Sequence, residues 1–317
     1  MLYFIIPLTI IILLMLVVSL VCFLMVFYSP DRKPLRADEY PIPDGDIYLP
    51  HREQMVKWIK DIRAMERKNV SVTSFDGLTL RGKYYEYKKG APIEILFHGY
   101  KGSAERDMCG AVYRCFELKR NALIVDQRAH GESEGHVITF GVKESRDCLT
   151  WIDYAINNID KHAKIIITGI SMGAATVMTA AGYDLPDNVV GVLADCGYTS
   201  AEEIIKKVMK DMRLPPSFMY PFVRFGAILL GRFDPNSRSP IKSMKNCRLP
   251  IIFLHGDADD FVPYYMSEKN YETCASEYKK LVITPGAGHG LCFPLDMDAY
   301  FREVRAFFDP ILEEKNP

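Results

Sequence analysis

The sequence predicts an α/β fold with a mostly parallel central sheet flanked by helices. Two short apolar runs, Ile93–Phe97 and Ile165–Ile167, are typical of strands that are buried on both faces of such a sheet. Helical patterns alternate with these runs, and parallel strands need such crossover connections. A third observation adds an antiparallel start, because Asp76-Gly77 joins two alternating segments and is a strong hairpin signal.

The first element is a membrane anchor, predicted for residues 1–29. Residues 2–28 contain no charged side chain, and this apolar run exceeds the roughly 20 residues that cross a bilayer as a helix. A secretory signal peptide is the alternative, but it has basic residues before a shorter apolar core and a small-residue cleavage site after it. Arg32, Lys33 and Arg36 follow the run, so the positive-inside rule predicts a single-pass protein with the bulk of the chain in the cytoplasm.

The next segment, residues 30–50, places prolines among charged residues and is predicted to be a stiff, extended linker. The folded domain is predicted to occupy residues 51–317. It opens with a helical pattern in His51–Lys68, where apolar residues recur at three- and four-residue spacing. We expect this apolar face to pack on the domain.

Strand and helix patterns then alternate along the chain. Ser103 is placed to cap a helix that ends near Leu118. Further strands are predicted at Ala122–Val125, Val189–Ala194, Ile251–Leu254 and Leu281–Ile283, and further helices near Val142–Ile159, Met266–Ala275 and Tyr300–Phe308.

One long stretch interrupts the alternation. Residues 198–247 hold no strand pattern, are rich in methionine and aromatic residues, and are broken at Pro215-Pro216 and Gly231. We interpret them as a helical cap inserted over the carboxyl ends of the strands, where open α/β sheets bind ligands. Some of these apolar side chains form the core of the insertion, and so many near a nucleophile also suit a pocket for an acyl or aromatic group.

A serine at a sharp turn is the candidate nucleophile. The motif Gly169–Gly173 follows a buried strand and leads into a helical run of small residues, with Ser171 at its centre. A serine at the tip of such a turn is strained, its hydroxyl is exposed, and glycines beside it avoid collisions with the strand and helix. The same pattern recurs around Ser133, but no helix follows it, and the two flanking glutamates would repel a developing oxyanion. The context therefore favours Ser171.

A serine hydroxyl needs a base to take its proton, and histidine suits that task near neutral pH. Among the seven histidines, His289 follows a late strand in a Gly-rich loop that can place its ring over Ser171. The base needs a carboxylate to orient it. Asp257, Asp259 and Asp260 share the loop after one strand, so the acid is expected among them.

The order serine, aspartate, histidine is that of the α/β-hydrolase fold, and the chain from about residue 70 to 308 resembles it. It is similar to the bacterial membrane-anchored branch related to Bem46-like and serine-aminopeptidase-like (S33) hydrolases. The resemblance implies that Asp259 is the acid, because residues 255–263 match the H-G-x-x-D-x-x-V-P pattern of that family. It also implies that the backbone N–H groups of Tyr100 and Met172 form the oxyanion hole. Tyr100 departs from the family in being bulkier than the usual glycine or alanine.

We therefore expect a serine hydrolase that cleaves carboxylic esters or thioesters of hydrophobic acyl groups through an acyl-enzyme. An aminopeptidase or acyltransferase on the same triad, and an inactive membrane-tethered binding protein, are the alternatives. The histidines never pair at ligand spacing and the cysteines form no CxxC pair, so neither metal nor cofactor is expected. With Lys+Arg 39 and Asp+Glu 40, nucleic acid is disfavoured. The expected partners are the acyl substrate and the lipid bilayer, contacted by residues 2–28.

Overall fold

A computed structural model describes residues 2–30 and 36–313. Arg32 and Lys33, on which the predicted orientation in the membrane chiefly depends, lie outside the described residues, as does the part of the predicted linker around them. The N-terminal anchor helix, the end of the linker and nearly all of the predicted domain lie inside them.

Eight strands form one sheet in the order β1-β2-β4-β3-β5-β6-β7-β8. The first two strands form the predicted antiparallel hairpin, β2 also pairs antiparallel with β4, and the other pairs are parallel. The predicted fold class is therefore confirmed. The strands are β1 (Lys68–Thr73), β2 (Thr79–Tyr85), β3 (Ile93–Phe97), β4 (Asn121–Val125), β5 (Ile165–Ile170), β6 (Val189–Asp195), β7 (Ile251–Gly256) and β8 (Lys279–Thr284).

Helices cover both faces of the sheet and form the insertion. Ser103 caps α3 as expected, because its side chain accepts a hydrogen bond from the backbone N–H of Arg106. The helices are α1 (Leu2–Val26), α2 (Arg52–Ala64), α3 (Ala104–Glu117), α4 (Glu144–Tyr154, continued by a π-helical turn), α5 (Met172–Ala180), α6 (Ala201–Asp211), α7 (Pro216–Leu229), α8 (Pro240–Met244), α9 (Tyr265–Thr273), α10 (Cys292–Leu295) and α11 (Met297–Glu313).

The two faces of the sheet belong to two separate cores, because successive side chains of a strand point to opposite sides. In β3, Leu96 packs with α2, α3 and α11 on one face. Its neighbours Ile95 and Phe97 pack with α4 and α5 on the other face. The central strands are buried on both faces, which explains the continuous apolar runs in the sequence.

A buried ionic cluster is centred on β3. Glu94, a fully buried carboxylate in β3, accepts hydrogen bonds from Arg114 and Arg120. Burial alone would raise the pKa of Glu94, but the two guanidinium groups outweigh it and hold the pKa below its ordinary value. Arg114 continues the network by donating to the hydroxyl of Tyr300 at 3.1 Å.

The apolar helix α1 docks on the insertion through its C-terminal part. Its residues 3–17 are exposed on every side, whereas Ser19 and Phe23 are buried against α7. Phe27, which follows α1, is fully buried, and its ring lies 5.6 Å from that of Phe140 and 5.2 Å from that of Phe233. The helix fits a single-pass membrane anchor or a signal sequence by length and composition.

Two segments pack differently from what local composition suggests. Residues 46–51, at the end of the predicted linker, form a 3₁₀-helix whose Tyr48 is buried in the core on the α2 face. Within the insertion, α6 and α7 cover the Met172 end of α5, whereas α8 packs on α5 and α9 at the flank of the sheet. Proline content predicts the backbone of a segment, not which of its side chains a core will accept.

Replacing Glu94 with alanine removes the only negative charge that both arginines contact within the described cluster. Arg114 would then keep only the neutral hydroxyl of Tyr300, and Arg120 only Asp309 at 3.8 Å, as partners for a buried charge. We therefore expect the free energy of unfolding to fall by about 3–5 kcal/mol. Urea unfolding in detergent micelles measures this. Asp61→Ala, which breaks the exposed Lys57–Asp61 pair, is the control and should leave the midpoint nearly unchanged. Equal losses in the two variants would contradict the prediction.

Candidate active site

Ser171 lies between β5 and α5 with a backbone φ of 56° and ψ of −116°, a conformation that a residue with a side chain rarely adopts. Its N–H donates to the backbone oxygen of Asp195 at 2.8 Å. The turn is tight because a Cβ on Gly173 would lie only 1.9 Å from the carbonyl oxygen of Phe97. Glycine at 173 therefore lets α5 approach β3 and aims the Ser171 hydroxyl at the cavity described below.

Three side chains from distant loops meet at this turn. The Ser171 hydroxyl donates to Nε2 of His289 at 2.9 Å, and Nδ1 of His289 donates to Oδ2 of Asp259 at 2.7 Å. The structure thus brings together the three residues that the sequence singles out. Their order along the hydrogen-bond chain is that of nucleophile, base and orienting acid.

Asp259 is the buried member of the three aspartates in its loop. Its Oδ1 accepts hydrogen bonds from the backbone N–H groups of Phe261 and Val262 at 3.0 and 2.8 Å. Burial opposes ionisation, but hydrogen bonds from His255 and His289 outweigh it and hold the pKa of Asp259 well below its ordinary value. The carboxylate therefore stays charged wherever His289 can act as a base.

His255 supports this carboxylate from behind, a role that the sequence analysis does not assign. Its Nε2–H donates to the carbonyl oxygen of Val262 at 2.7 Å and lies 3.2 Å from Oδ2 of Asp259. Its Nδ1 accepts from the hydroxyl of Ser267 at 2.7 Å. The H-G dipeptide at the end of the strand pattern was the available signal. The other two aspartates of the loop, Asp257 and Asp260, are exposed.

The two expected oxyanion donors flank Ser171. Met172 begins α5, so its N–H is one of the free donors at a helix start. Tyr100 lies in the loop after β3 and lines the same cavity as Ser171. Its hydroxyl donates to the carbonyl oxygen of Val26 at 2.8 Å, and its ring lies 5.1 Å from that of Phe140. The bulk that departs from the family pattern is thus used to hold the end of α1.

Ser133, in the second G-x-S-x-G motif, makes hydrogen bonds within its own loop region. Its hydroxyl donates to the carbonyl oxygen of Asp126 at 2.6 Å and accepts from the backbone N–H of Arg81 at 2.8 Å. These bonds tie the loop after β4 to β2. The side chain is buried, and its part in the fold is structural.

A cavity of about 540 Å³ opens beside Ser171 and His289, a size typical of small-molecule sites. Its apolar wall comes from the end of the linker, from α2, α3 and α10, and from the loop after β7. The side chains of this wall are Ile47, Tyr48, Met55, Trp58, Met108, Phe261 and Phe293. Among the described residues of the 198–247 insertion, none lines this cavity. The expectation that cap side chains form the pocket is wrong here, because they pack against α1, Phe140 and Met172 instead.

The cavity also has a polar side. Asp195 lines it, and its Oδ2 accepts from the hydroxyl of Tyr300 at 3.1 Å, whereas its buried Oδ1 has no partner among the described residues. Burial raises the pKa of Asp195 to about 6, although the hydrogen bond from Tyr300 and nearby positive charges oppose the rise. Through Tyr300 and Arg114 this carboxylate is linked to Glu94. These residues are distant in the chain and share no sequence motif, so they are not among the predicted site residues.

Cys196, Asp259 and His289 offer possible metal-ligand atoms within 4.8 Å of one another. Nδ1 of His289 and Oδ2 of Asp259 are hydrogen-bonded to each other. Burial raises the pKa of the Cys196 thiol well above its ordinary value, which disfavours the thiolate that a metal requires. The chemistry of this set fits a serine-activating triad better than a metal site.

The mostly parallel sheet with a serine at its strand-to-helix turn is that of a serine hydrolase of the α/β-hydrolase superfamily. More narrowly, residues 139–315 match the prolyl oligopeptidase family, and the chain belongs to that family.

Curated relatives include the protein YqkD of Bacillus subtilis, 26% identical over 267 residues, which cover 84% of this chain and 87% of the relative. Another is protein bem46 of Schizosaccharomyces pombe, 26% identical over 251 residues and 77% of each chain. Among solved structures, the Pyrococcus furiosus esterase Pf2001 is 22% identical with a TM-score of 0.64, covering 88% of this chain and 99% of that one. The Pyrococcus horikoshii acylaminoacyl peptidase is 18% identical with a TM-score of 0.60, covering 81% and 43%. These structures share the fold.

Replacing Asp259 with asparagine should lower kcat about 10³- to 10⁴-fold, because the amide no longer fixes the tautomer of His289 or stabilises its protonated form. Steady-state hydrolysis of a p-nitrophenyl ester measures the change. Asp260→Asn alters an exposed neighbour in the same loop and is the matched control, for which we expect little change. A similar loss in both variants would show that the loop, not this carboxylate, is what matters.

Proposed function

We propose that the protein hydrolyses carboxylic esters or thioesters of hydrophobic acyl groups, with Ser171 as nucleophile, His289 as base and Asp259 as orienting acid. The observation that carries the proposal is the continuous hydrogen-bond chain from the Ser171 hydroxyl through His289 to Asp259. It begins at a hydroxyl facing the cavity and ends at a buried carboxylate. Such a chain is the arrangement that makes serine nucleophilic at neutral pH.

The steps follow from these positions. His289 takes the proton of Ser171 as the oxygen attacks the acyl carbonyl, and the negative charge of the tetrahedral intermediate falls on the carbonyl oxygen. The N–H groups of Tyr100 and Met172 stabilise that charge. His289 then gives its proton to the leaving alcohol or thiol, and the acyl-enzyme forms. In the second half, His289 activates water, which releases the acid and restores Ser171.

The cavity supports an apolar acyl group. Trp58, Phe261 and Phe293 contribute aromatic surface to its wall, and Phe261 packs edge-on against His289 with ring centroids 5.1 Å apart. Hydrophobic pockets of this size bind small ligands mainly by desolvation, with a few polar groups fixing orientation.

We also propose that α1 is a retained membrane anchor and that the catalytic domain faces the cytoplasm. Retention is supported by the docking of its C-terminal end, where Tyr100 and Lys101 bind the carbonyl oxygens of Val26 and Met25 at 2.8 and 3.4 Å. Tyr100 and Lys101 also line the cavity, so its rim lies next to the end of the anchor. A substrate dissolved in the bilayer would reach this rim over a short path.

A peptidase is the second candidate. Membership in the prolyl oligopeptidase family favours it. An acyltransferase would use the same triad with an alcohol in place of water. Ser171-dependent release of amine from peptide amides, or transfer to an added alcohol, distinguishes these from ester hydrolysis.

A fluorophosphonate probe should label the protein at Ser171, and Ser171→Ala should abolish both labelling and ester hydrolysis. Ser133→Ala is the matched control, since it removes a hydroxyl in the same sequence motif that makes structural bonds. We expect this variant to keep its labelling wherever it folds, which thermal unfolding reports. Absence of labelling in the folded native protein would instead support an inactive, membrane-tethered binding protein.

Phe261→Ala should raise KM for octanoyl esters about tenfold and KM for acetyl esters less, because a longer acyl chain has more apolar surface to bury against this wall. The substitution is tolerable because the side chain is 45% exposed and Asp259 binds the backbone N–H of this residue, not its ring. Steady-state kinetics with both esters provide the comparison. An equal change in KM for the two would place the acyl group elsewhere.

A further inference from the structure

We propose that α7, the second helix of the insertion, is itself embedded in the membrane beside α1, so that anchor and cap form one membrane-bound unit. The embedded surface is the α7 stripe, made of Phe218, Phe222, Phe225 and Leu229. The proposal goes beyond hydrolysis and rests on the proposed anchoring role of α1.

The contact between α7 and α1 lies inside the apolar span. That span runs from Tyr3 to Val26, and α7 meets it at Ser19 and Phe23. On the side of α1 away from the domain, side chains such as Leu20 and Leu24 remain exposed at the same level. A bilayer that covers them also reaches α7.

The backbones of α1 and α7 are also in close contact. A Cβ on Gly226 would lie 2.5 Å from the carbonyl oxygen of Ser19 and 3.2 Å from Cβ of Phe23. Glycine therefore lets the two helix backbones touch, which is how helices associate where no water drives them together. Hydrogen bonds from Tyr100 and Lys101 to the end of α1 fix the helix on the same domain. The two helices thus hold a fixed relative depth.

The exposed face of α7 also has the chemistry of a lipid-facing surface. The four residues of the α7 stripe recur at spacings of four, three and four, which places them on one side of a helix. Phe218 is 66% exposed and Leu229 52% exposed, a high exposure for large apolar side chains. Phe222 is one turn from Gly226, so the stripe adjoins the α1 contact and extends its apolar surface.

The charges around the α7 stripe agree with this placement. Within α7 the charged side chain is Arg224, which lies on another side of the helix and pairs with Asp234 at 2.7 Å. Exposed Arg213 precedes the helix and exposed Arg232 follows it. Basic residues at the two ends of an apolar helix face are suited to the headgroups of anionic lipids.

The test places an environment-sensitive NBD fluorophore on single introduced cysteines in the full chain. Selective labelling is feasible because all eight native cysteines are buried. Phe225→Cys and Leu229→Cys probe the α7 stripe, and Leu13→Cys probes the free part of α1. Tyr87→Cys is the matched control. Tyr87 is 40% exposed and lies beside the start of β4, at the opposite end of the parallel strands from Ser171. The proteins are reconstituted into vesicles of phosphatidylcholine and phosphatidylglycerol.

Two quenchers then read the surroundings of each fluorophore, nitroxide-labelled lipid for the hydrocarbon and iodide on both sides for water. We expect positions 225 and 229 to match position 13, with emission at shorter wavelength, quenching by lipid and protection from iodide. Position 87 should show the reverse.

Quenching of 225 and 229 by iodide, with 13 still in lipid, would overturn the embedding of α7 and leave the anchor intact. Quenching of position 13 by iodide would overturn both the embedding of α7 and the anchoring role of α1. Protection of 225 and 229 from both quenchers, lost on dilution with lipid, would mean that a second copy of the chain covers the stripe and would also overturn the proposal.

Discussion

The backbone conformation of Ser171 is the constraint on which the rest of the site depends. A left-handed φ costs a residue with a side chain on the order of 1 kcal/mol, so the surrounding structure must enforce it. The enforcement comes from the neighbouring strands: Asp195 of β6 holds the N–H of Ser171, and β3 lies against Gly173. Because the parallel strands β3 and β5 to β8 end together on this side of the sheet, the loops that carry Ser171, Asp259 and His289 meet without a dedicated scaffold.

The same strands carry a polar layer beneath the site. Glu94, Arg114, Tyr300 and Asp195 form a chain of buried hydrogen bonds from β3 to the end of β6. Breaking such a network is costly, because each remaining member would keep its charge or dipole without compensation. Asp195, whose backbone oxygen binds the N–H of Ser171, is therefore also held in place by the hydrogen bond to its side chain. The turn and the ionic cluster therefore meet at one residue, Asp195, through its backbone oxygen and its Oδ2 respectively.

The sequence was sufficient for the sheet, the turn and the choice of residues that meet there. Strand runs, glycine spacing and the loop position of His289 all report local constraints that the fold preserves. It was not sufficient for the walls of the cavity. The apolar side chains of the insertion have a pattern that indicates burial, but periodicity does not say what buries them, and α1 and Phe140 take much of that surface. Conversely, Tyr48 lies in a proline-rich stretch whose composition hides its packing against the site.

Tyr48 also makes a bond whose consequence reaches beyond the cavity. Its hydroxyl donates to the carbonyl oxygen of His289 at 2.9 Å, so the chain between anchor and domain is fastened to the loop that carries the base. A fragment that begins at residue 51 would lose this hydrogen bond together with the part of the cavity wall that the end of the linker provides. A fragment that begins at residue 30 would keep the Tyr48 hydrogen bond and the cavity wall. It would, however, expose the apolar site that Phe27 fills between Phe140 and Phe233. An enzyme prepared without its first helix therefore no longer needs lipid or detergent to cover that helix, but it exposes an apolar surface and is prone to aggregate.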